Sequence, residues 1–250
     1  MAPAIEIKDL SVLFRSHHGP VEALKGLSLT VDAGTVFGFL GPNGAGKTTA
    51  MHVLLGFIEP ASGSAHIFGE DVRHSIARRR IGYLPERAET YIFLTGRELL
   101  HMAGRLFGMG GAGLRHRVDE LLQQVDLLDA ADRRIGTYSR GMLQRIGLAQ
   151  ALVNDPDLVI LDEPTGGLDP LGRMEVRRII ADLRARGKTV FFSSHELSEV
   201  ELVCDHIALM VSGRVIAEGK AADLVRPGES LEQYFLRIVQ AGAGKGGVAT

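Results

Sequence analysis

Cysteine is almost absent from this sequence: Cys204 stands alone, so no internal disulfide and no cysteine-built metal site can form. A chain that needs neither suits a reducing cytosol. Long apolar runs are lacking as well. A spanning helix takes about 18 or more apolar residues in succession, and the best candidates, GTVFGFLG and TTAMHVLLGFI, are much shorter and separated by a polar loop. The opening MAPAIEIKDL reaches Glu6, Lys8 and Asp9 without an apolar run, so no secretory signal is expected. An excess of charge is missing too. With 28 basic residues against 30 acidic ones, the formal net charge is -2, and bulk electrostatics gives no reason to expect nucleic acid as a partner. There is no internal repeat. What remains is 250 residues, 45% hydrophobic and 23% charged, enough for a sizeable core in one large domain or two unequal lobes.

The first third reads as β-rich. AIEIKDLSVLF and LKGLSLTV alternate apolar and polar residues, and TVFGFL is a continuous apolar run ending at glycine. GKTTAMHVLLGFI follows with helical spacing, and PASGSAHIFGEDV returns to turn and strand. From about Thr95 to Val153 nearly every stretch reads as helix. TGRELLHMAGRLFG places Leu99, Met102, Leu106 and Phe107 on one face, with Thr95 and Glu98 as a capping box. RVDELLQQVDLL repeats the pattern with Val118, Leu121, Leu122 and Val125, and GMGGAG between the two is a loop. The last third alternates strand and helix: DLVILDEP, PLGRMEVRRIIADLRARG, KTVFFSS, then a hairpin in HIALMVSGRVIAEG that turns at Ser212-Gly213. SLEQYFLRIV forms one amphipathic helix. Such alternation indicates an α/β fold with a mainly parallel sheet flanked by helices.

The string GAGK occurs twice, and its surroundings distinguish the copies. In GPNGAGKTT, residues Gly41, Gly46, Lys47 and Thr48 fill G-x-x-x-x-G-K-[ST] between a strand and a helix. Glycines let the backbone N–H groups turn toward phosphate oxygens, and the helix N-terminus adds partial positive charge. Lys47 would reach the β- and γ-phosphates of ATP, and the Thr48 hydroxyl would ligate Mg2+. The copy at Gly242 has Val239 in place of the first glycine and Gly246 in place of the hydroxyl, so it is tail. LVILDEP supplies Asp162 to hold Mg2+ through water and Glu163 to accept a proton from the attacking water. Ser139 and Gly141 precede the apolar-periodic helix MLQRIGLAQALV, and a hydroxyl with bare N–H groups there makes an anion site.

With TYSRGMLQR between those two motifs, the set resembles the nucleotide-binding domain of the ABC (ATP-binding cassette) transporters over about residues 4–225. GPNGAGKTT (Gly41, Pro42, Asn43, Gly44, Ala45, Gly46, Lys47, Thr48, Thr49) is similar to the Walker A loop and LVILDEP to Walker B. YSRGM resembles the signature, GGLDP the D-loop with Asp169, SSHELSEVE the switch with His195, and GYLPE stands at the Q-loop position. The resemblance implies a P-loop NTPase core with an antiparallel β subdomain near the N-terminus and an inserted α-helical subdomain. It implies one domain over about residues 1–240, with core and antiparallel parts at about 1–86 and 154–225 and helices at about 87–153. A loose tail, 241–250, follows. The ligands implied are ATP and Mg2+. Ser139 and Gly141 would cap the γ-phosphate bound to another subunit, which implies a head-to-tail dimer, either a homodimer or a pair with a second ABC subunit. His195 would hold the γ-phosphate and orient Glu163, and Phe14, ending the first strand, is the candidate to stack on adenine.

Two departures stand out. Glu86 occupies the usual glutamine position of the Q-loop, where it would remain ionised and ligate Mg2+. Arg140 replaces a common glycine in the signature, and its charge would add attraction to the triphosphate across the dimer, modifying affinity. Glu86 followed by LTGRELL resembles the ATPases of drug, lipid and polysaccharide exporters. The function implied is therefore an ATP-hydrolysing subunit on the cytoplasmic face of a membrane. It would touch the membrane only through a spanning permease partner, docked on the insertion at about Arg87–Arg134. No importer-type regulatory domain is expected to follow. A soluble ATPase working on ribosomes or DNA is the alternative, and a module that holds ATP without hydrolysing it is a third, opposed by Glu163 and His195.

Overall fold

A computed structural model of the chain describes residues 2–16, 19–87 and 90–243. In chain order it contains β1 (Ile5–Ser16), β2 (Gly19–Val31), β3 (Val36–Leu40), α1 (Lys47–Leu54), β4 (Ser62–Ile67) and β5 (Glu70–Asp71). Then come α2 (Ser75–Arg78), β6 (Ile81–Leu84), α3 (Gly96–Leu106), α4 (Gly111–Gln124), α5 (Arg140–Ala151), β7 (Leu158–Leu161) and α6 (Pro170–Ala185). The chain continues through β8 (Thr189–Ser194), α7 (Leu197–Glu201), β9 (His206–Val211), β10 (Arg214–Gly219), α8 (Ala221–Leu224) and α9 (Leu231–Ala243). These elements fall into two compact units, Met1–Arg73 with Ser193–Thr250, and His74–Phe192.

In the first unit, β2, β1, β4 and β5 form an antiparallel sheet in that order. Strand β3, whose VFGFL is buried at every position, pairs in parallel with β9, and β9 turns back antiparallel into β10. The turn of that hairpin is Ser212-Gly213, as expected, and both residues have positive φ, 48° and 83°. A two-residue turn of this kind matches the twist of the flanking strands. The amphipathic α9 packs on α7, and its N-terminus is held by Glu201, whose Oε1 accepts from Leu231 N at 2.5 Å. Helix α9 extends to Ala243, three residues into the expected loose tail. Residues 244–250, which include the end of the second GAGK, lie outside the described residues.

In the second unit β6, β7 and β8 run parallel, with Leu84, Leu161 and Phe192 in register. This unit takes in β6, β7, α6 and most of β8 as well as the helices α3 to α5. The parallel ladder joins β6, β7 and β8 to one another. The capping box of α3 forms: Glu98 N donates to Thr95 Oγ1 at 3.1 Å and Thr95 N to Glu98 Oε2 at 2.9 Å. Its buried face is Leu99, Leu100 and Ala103, however, while Leu106 and Phe107 are exposed. The expected stripe was one position out of phase because Gly104, not Leu106, meets α4. A Cβ on Gly104 would lie 2.3 Å from Leu114 Cδ1. That contact also explains why α4 begins at Gly111, inside the expected glycine loop, since burying Leu114 fixes the helix's first turn. Val118, Leu121, Leu122 and Val125 are fully buried, as their spacing predicts. Among the described residues no helix is long and apolar enough to cross a membrane.

Candidate functional site

The phosphate-loop candidate lies in the first unit, where β3 delivers the chain to Gly41. Gly41 N donates to Ser194 O at 3.3 Å, and a Cβ on Gly41 would lie 2.2 Å from Met210 O, so only glycine permits this approach. At the other end Gly46 adopts φ 107° as the N-cap of α1, and no described side chain caps that helix. Its first-turn N–H groups therefore face the loop, the arrangement that receives anionic oxygen. Gly213 N donates to Ala45 O and accepts from Lys25 N through its carbonyl, each at 2.9 Å, so the β9–β10 turn braces the loop. Lys47 is buried, and its Nζ donates to Gly41 O at 2.6 Å and Pro42 O at 3.4 Å. Pro42, Asn43, Gly44 and Thr48 are exposed, and Thr49 is half-buried. His195 is exposed and directly follows Ser194, the residue whose carbonyl holds Gly41. Phe14 sits opposite Val21 near the end of β1 and is 41% exposed. It is not a core aromatic.

The carboxylates lie in the second unit, at the carboxyl edge of its parallel strands. Asp162 N donates to Leu84 O at 2.9 Å, which sets Asp162 just past the end of β7. Glu86, two residues beyond β6, leaves the same edge of the neighbouring strand and is exposed. The Asp162 side chain is only 2% exposed. Tyr83, in β6, has its phenol pushed up to about 12, first by burial and then by the negative charge of Asp162. Glu163 has φ 50°, rare for a residue with a Cβ, and Gly166 N donates to its carbonyl at 3.0 Å. Gln144, buried in α5, supports this turn by donating from Nε2 to Pro164 O at 2.9 Å. The sequence reading treats Gln144 only as a member of an apolar-periodic helix. Its signal is a polar residue at a buried position.

Ser139, Gly141 and Asp169 come together elsewhere in the same unit, around a groove of about 300 Å3. Ser139 caps α5, its Oγ accepting from Met142 N at 3.3 Å, and a Cβ on Gly141 would meet nothing within 4 Å. Asp169 caps α6 through Gly172 N at 2.8 Å, with Pro170 in the first turn. The Arg140 guanidinium donates from Nη2 to Gly166 O at 3.0 Å. Arg145, which the sequence reading leaves without a role, ties α5 to Val125 O and Asp126 O, each at 3.2 Å, and to Glu175 at 3.3 Å. Each unit thus carries part of the expected set. Lys47, Thr48, His195 and Phe14 belong to one, and Glu86, Ser139, Gly141, Asp162, Glu163 and Asp169 to the other.

Comparison with known proteins gives the set a context. The ABC transporter family model matches residues 24–166. An uncharacterised ABC transporter ATP-binding protein of Nostoc sp. is 49% identical over 82% of this chain and 62% of its own length. The daunorubicin resistance ATP-binding protein DrrA3 of Streptomyces coeruleorubidus is 44% identical over 83% and 66%. The chain thus spans about two thirds or less of the length of these two relatives. Among solved structures, an ATP-binding subunit of an ABC transporter superposes with a TM-score of 0.84 at 30% identity, over 94% of this chain and 99% of that one. A bacterial ABC transporter cassette solved as a dimer gives 0.80 at 25% identity, over 86% and 98%. The fold is that of the P-loop NTPase core with its antiparallel β and helical parts, and the chain belongs to the ABC transporter family as an ATP-binding, ATPase-type cassette.

Proposed function

We propose that the chain is the ATP-hydrolysing subunit of a membrane exporter, working as a dimer at the cytoplasmic face through a spanning permease. The observation that carries this is the braced loop from Gly41 to Lys47, whose glycine backbone and uncapped α1 terminus form a phosphate cradle. Lys47 exchanges its carbonyl partners for β- and γ-phosphate oxygens, a charge-assisted contact stronger than the one it gives up. Mg2+ fits the donors available. Among the described residues no three His, Cys, Asp or Glu side chains cluster closely enough to cage an ion. Mg2+ typically takes one or two carboxylates together with phosphate oxygens. Asp162 and Thr48, with Glu86 as a second carboxylate, would hold it, and when bound it neutralises charge on the phosphates. Glu163 accepts the proton of the attacking water, and His195 holds the γ-phosphate and orients that glutamate. Phe14 stacks on adenine.

Ser139, Gly141 and Asp169 face nucleotide held by a second copy or a second ABC subunit. A dimeric cassette among the structural neighbours supports this. Export is supported by the likeness to a Nod factor export ATP-binding protein of Burkholderia lata, 44% identical over 81% of this chain and 67% of its own length. The exposed Tyr91, Ile92 and Phe93 that precede α3 supply apolar area for the permease. The test is a membrane pull-down with Glu163→Gln, ATP and Mg2+. Recovery of a stoichiometric multi-spanning protein is expected, and recovery of ribosomes, nucleic acid or soluble partners alone would overturn the transport assignment.

A further inference from the structure

Arg140 departs from the family's usual glycine, and the structure gives it a partner that the sequence does not suggest. Beyond the bond from Nη2 to Gly166 O at 3.0 Å, the guanidinium lies flat against the next residue. A Cβ on Gly167 would come within 2.3 Å of its Cζ and Nη2 and 2.4 Å of its Nη1. Gly167 also has φ +66°, so its bare backbone both permits the turn and makes room for the planar group. One side chain from the first turn of α5 therefore covers two consecutive residues of the loop that leads from Glu163 to Asp169. Its neighbour Ser139 caps α5, and Gly166 in turn bonds Glu163 O. The two surfaces lining the groove, the α5 terminus and the Asp169 loop, meet at this contact.

We propose that Arg140 is a positioning residue. It clamps the loop carrying Asp169 to the signature helix, so that the face offered to nucleotide on the second subunit is assembled before that subunit arrives. This rests on the dimer reading above. The residue type is suited to the task. Arginine presents a rigid planar fork that can bond a carbonyl and lie on a glycine at once, whereas lysine offers a point charge without the flat cover. Fixing the loop in advance removes the cost of ordering it during association. The contact lies outside the chain's own phosphate cradle, so it should leave ATP binding to the isolated subunit untouched.

The clamp is accessible from either side. Arg140→Ala removes the guanidinium, and Gly167→Ala displaces it with a methyl group. Both variants of the full chain should speed amide hydrogen exchange in residues 165–169 and lower kcat about tenfold, the effect of 1.4 kcal/mol on a barrier. ATP affinity of the isolated subunit should stay at the wild-type value. In a Glu163→Gln background both should reduce the ATP-induced dimer population. Because Gly167→Ala also strains the backbone at φ +66°, the double variant should be no worse than Gly167→Ala alone, and Arg140→Lys should fall between Arg140→Ala and wild type. Wild-type exchange in both variants would overturn the clamp. Faster exchange with unchanged kcat and dimer population would overturn its positioning role. Failure of the Glu163→Gln parent to dimerise would contradict the dimer reading instead, and the clamp would then stand or fall on the exchange rates and kcat.

Discussion

Replacing Gln144 with leucine removes the donor that holds the turn after Asp162 and Glu163. Gln144 is buried, and its Nε2 reaches the buried Pro164 carbonyl at 2.9 Å. Leaving that acceptor without a donor costs about 1–3 kcal/mol. For a domain of this size each kcal/mol lowers Tm by about 2–4 °C, so a fall of about 2–12 °C is expected in a calorimetric melt. Gln144→Glu sharpens the test because the shape is kept while the donor becomes an acceptor at neutral pH. The introduced carboxyl, buried and facing a carbonyl oxygen, has its folded pKa raised, since only the protonated form donates. Its stabilising contribution is therefore complete below the unfolded value of about 4.3 and is lost as pH rises through the folded value. The Gln144→Glu variant should approach wild-type Tm in mild acid and fall away towards neutrality. Melting within about 1 °C of wild type at neutral pH for both variants would show that this hydrogen bond does not support the turn as argued.

Glu86→Gln should retain turnover within about tenfold, because glutamine keeps a carbonyl ligand at that position. Complete loss in a phosphate-release assay would show that the carboxylate does more than ligate. Gly46→Ala should weaken ATP binding by at least about tenfold in titration calorimetry, since φ 107° excludes a Cβ that would sit 2.7 Å from Ala23 O. Gly44→Ala carries strain from φ +79° but meets nothing within 4 Å, so it should be milder, and equal effects would contradict the cradle geometry. The Glu229 carboxyl is held down to about 2 from 4.5, mainly by its hydrogen bonds from Arg237 and then by the Arg226 backbone. A lowered folded value means the pair's contribution is complete above about 4.5 and is lost as pH falls towards about 2. Glu229→Gln should accordingly lower Tm at neutral pH, with the gap to wild type closing across that acid range.

Much of this architecture was legible because local rules and packing agree. The hairpin at Ser212-Gly213, the Thr95–Glu98 capping box and the buried stripe from Val118 to Val125 each follow from residues close in sequence. Where a neighbour decides, periodicity misled. Leu106 looks like core by spacing, but the space belongs to Leu114 against Gly104. Among the candidate site residues, those in the phosphate loop carry their own signal, since glycine spacing and a lysine are local chemistry. The contacts of Arg140 with Gly166 and of Gln144 with Pro164 join residues about twenty or more positions apart, and no short motif announces them. The exposure of Phe14 on β1 follows from strand pairing with β2, which its sequence neighbours do not announce.

The most direct test of the central claim is Mg2+-dependent phosphate release from ATP by the purified chain, wild type beside Glu163→Gln, with ATP binding measured in parallel. The account predicts that both bind ATP while only the wild type turns over. Loss of the general base should cut the rate by at least about a hundredfold. Hydrolysis by Glu163→Gln within about threefold of wild type, or a wild type that binds ATP and never releases phosphate, would contradict it.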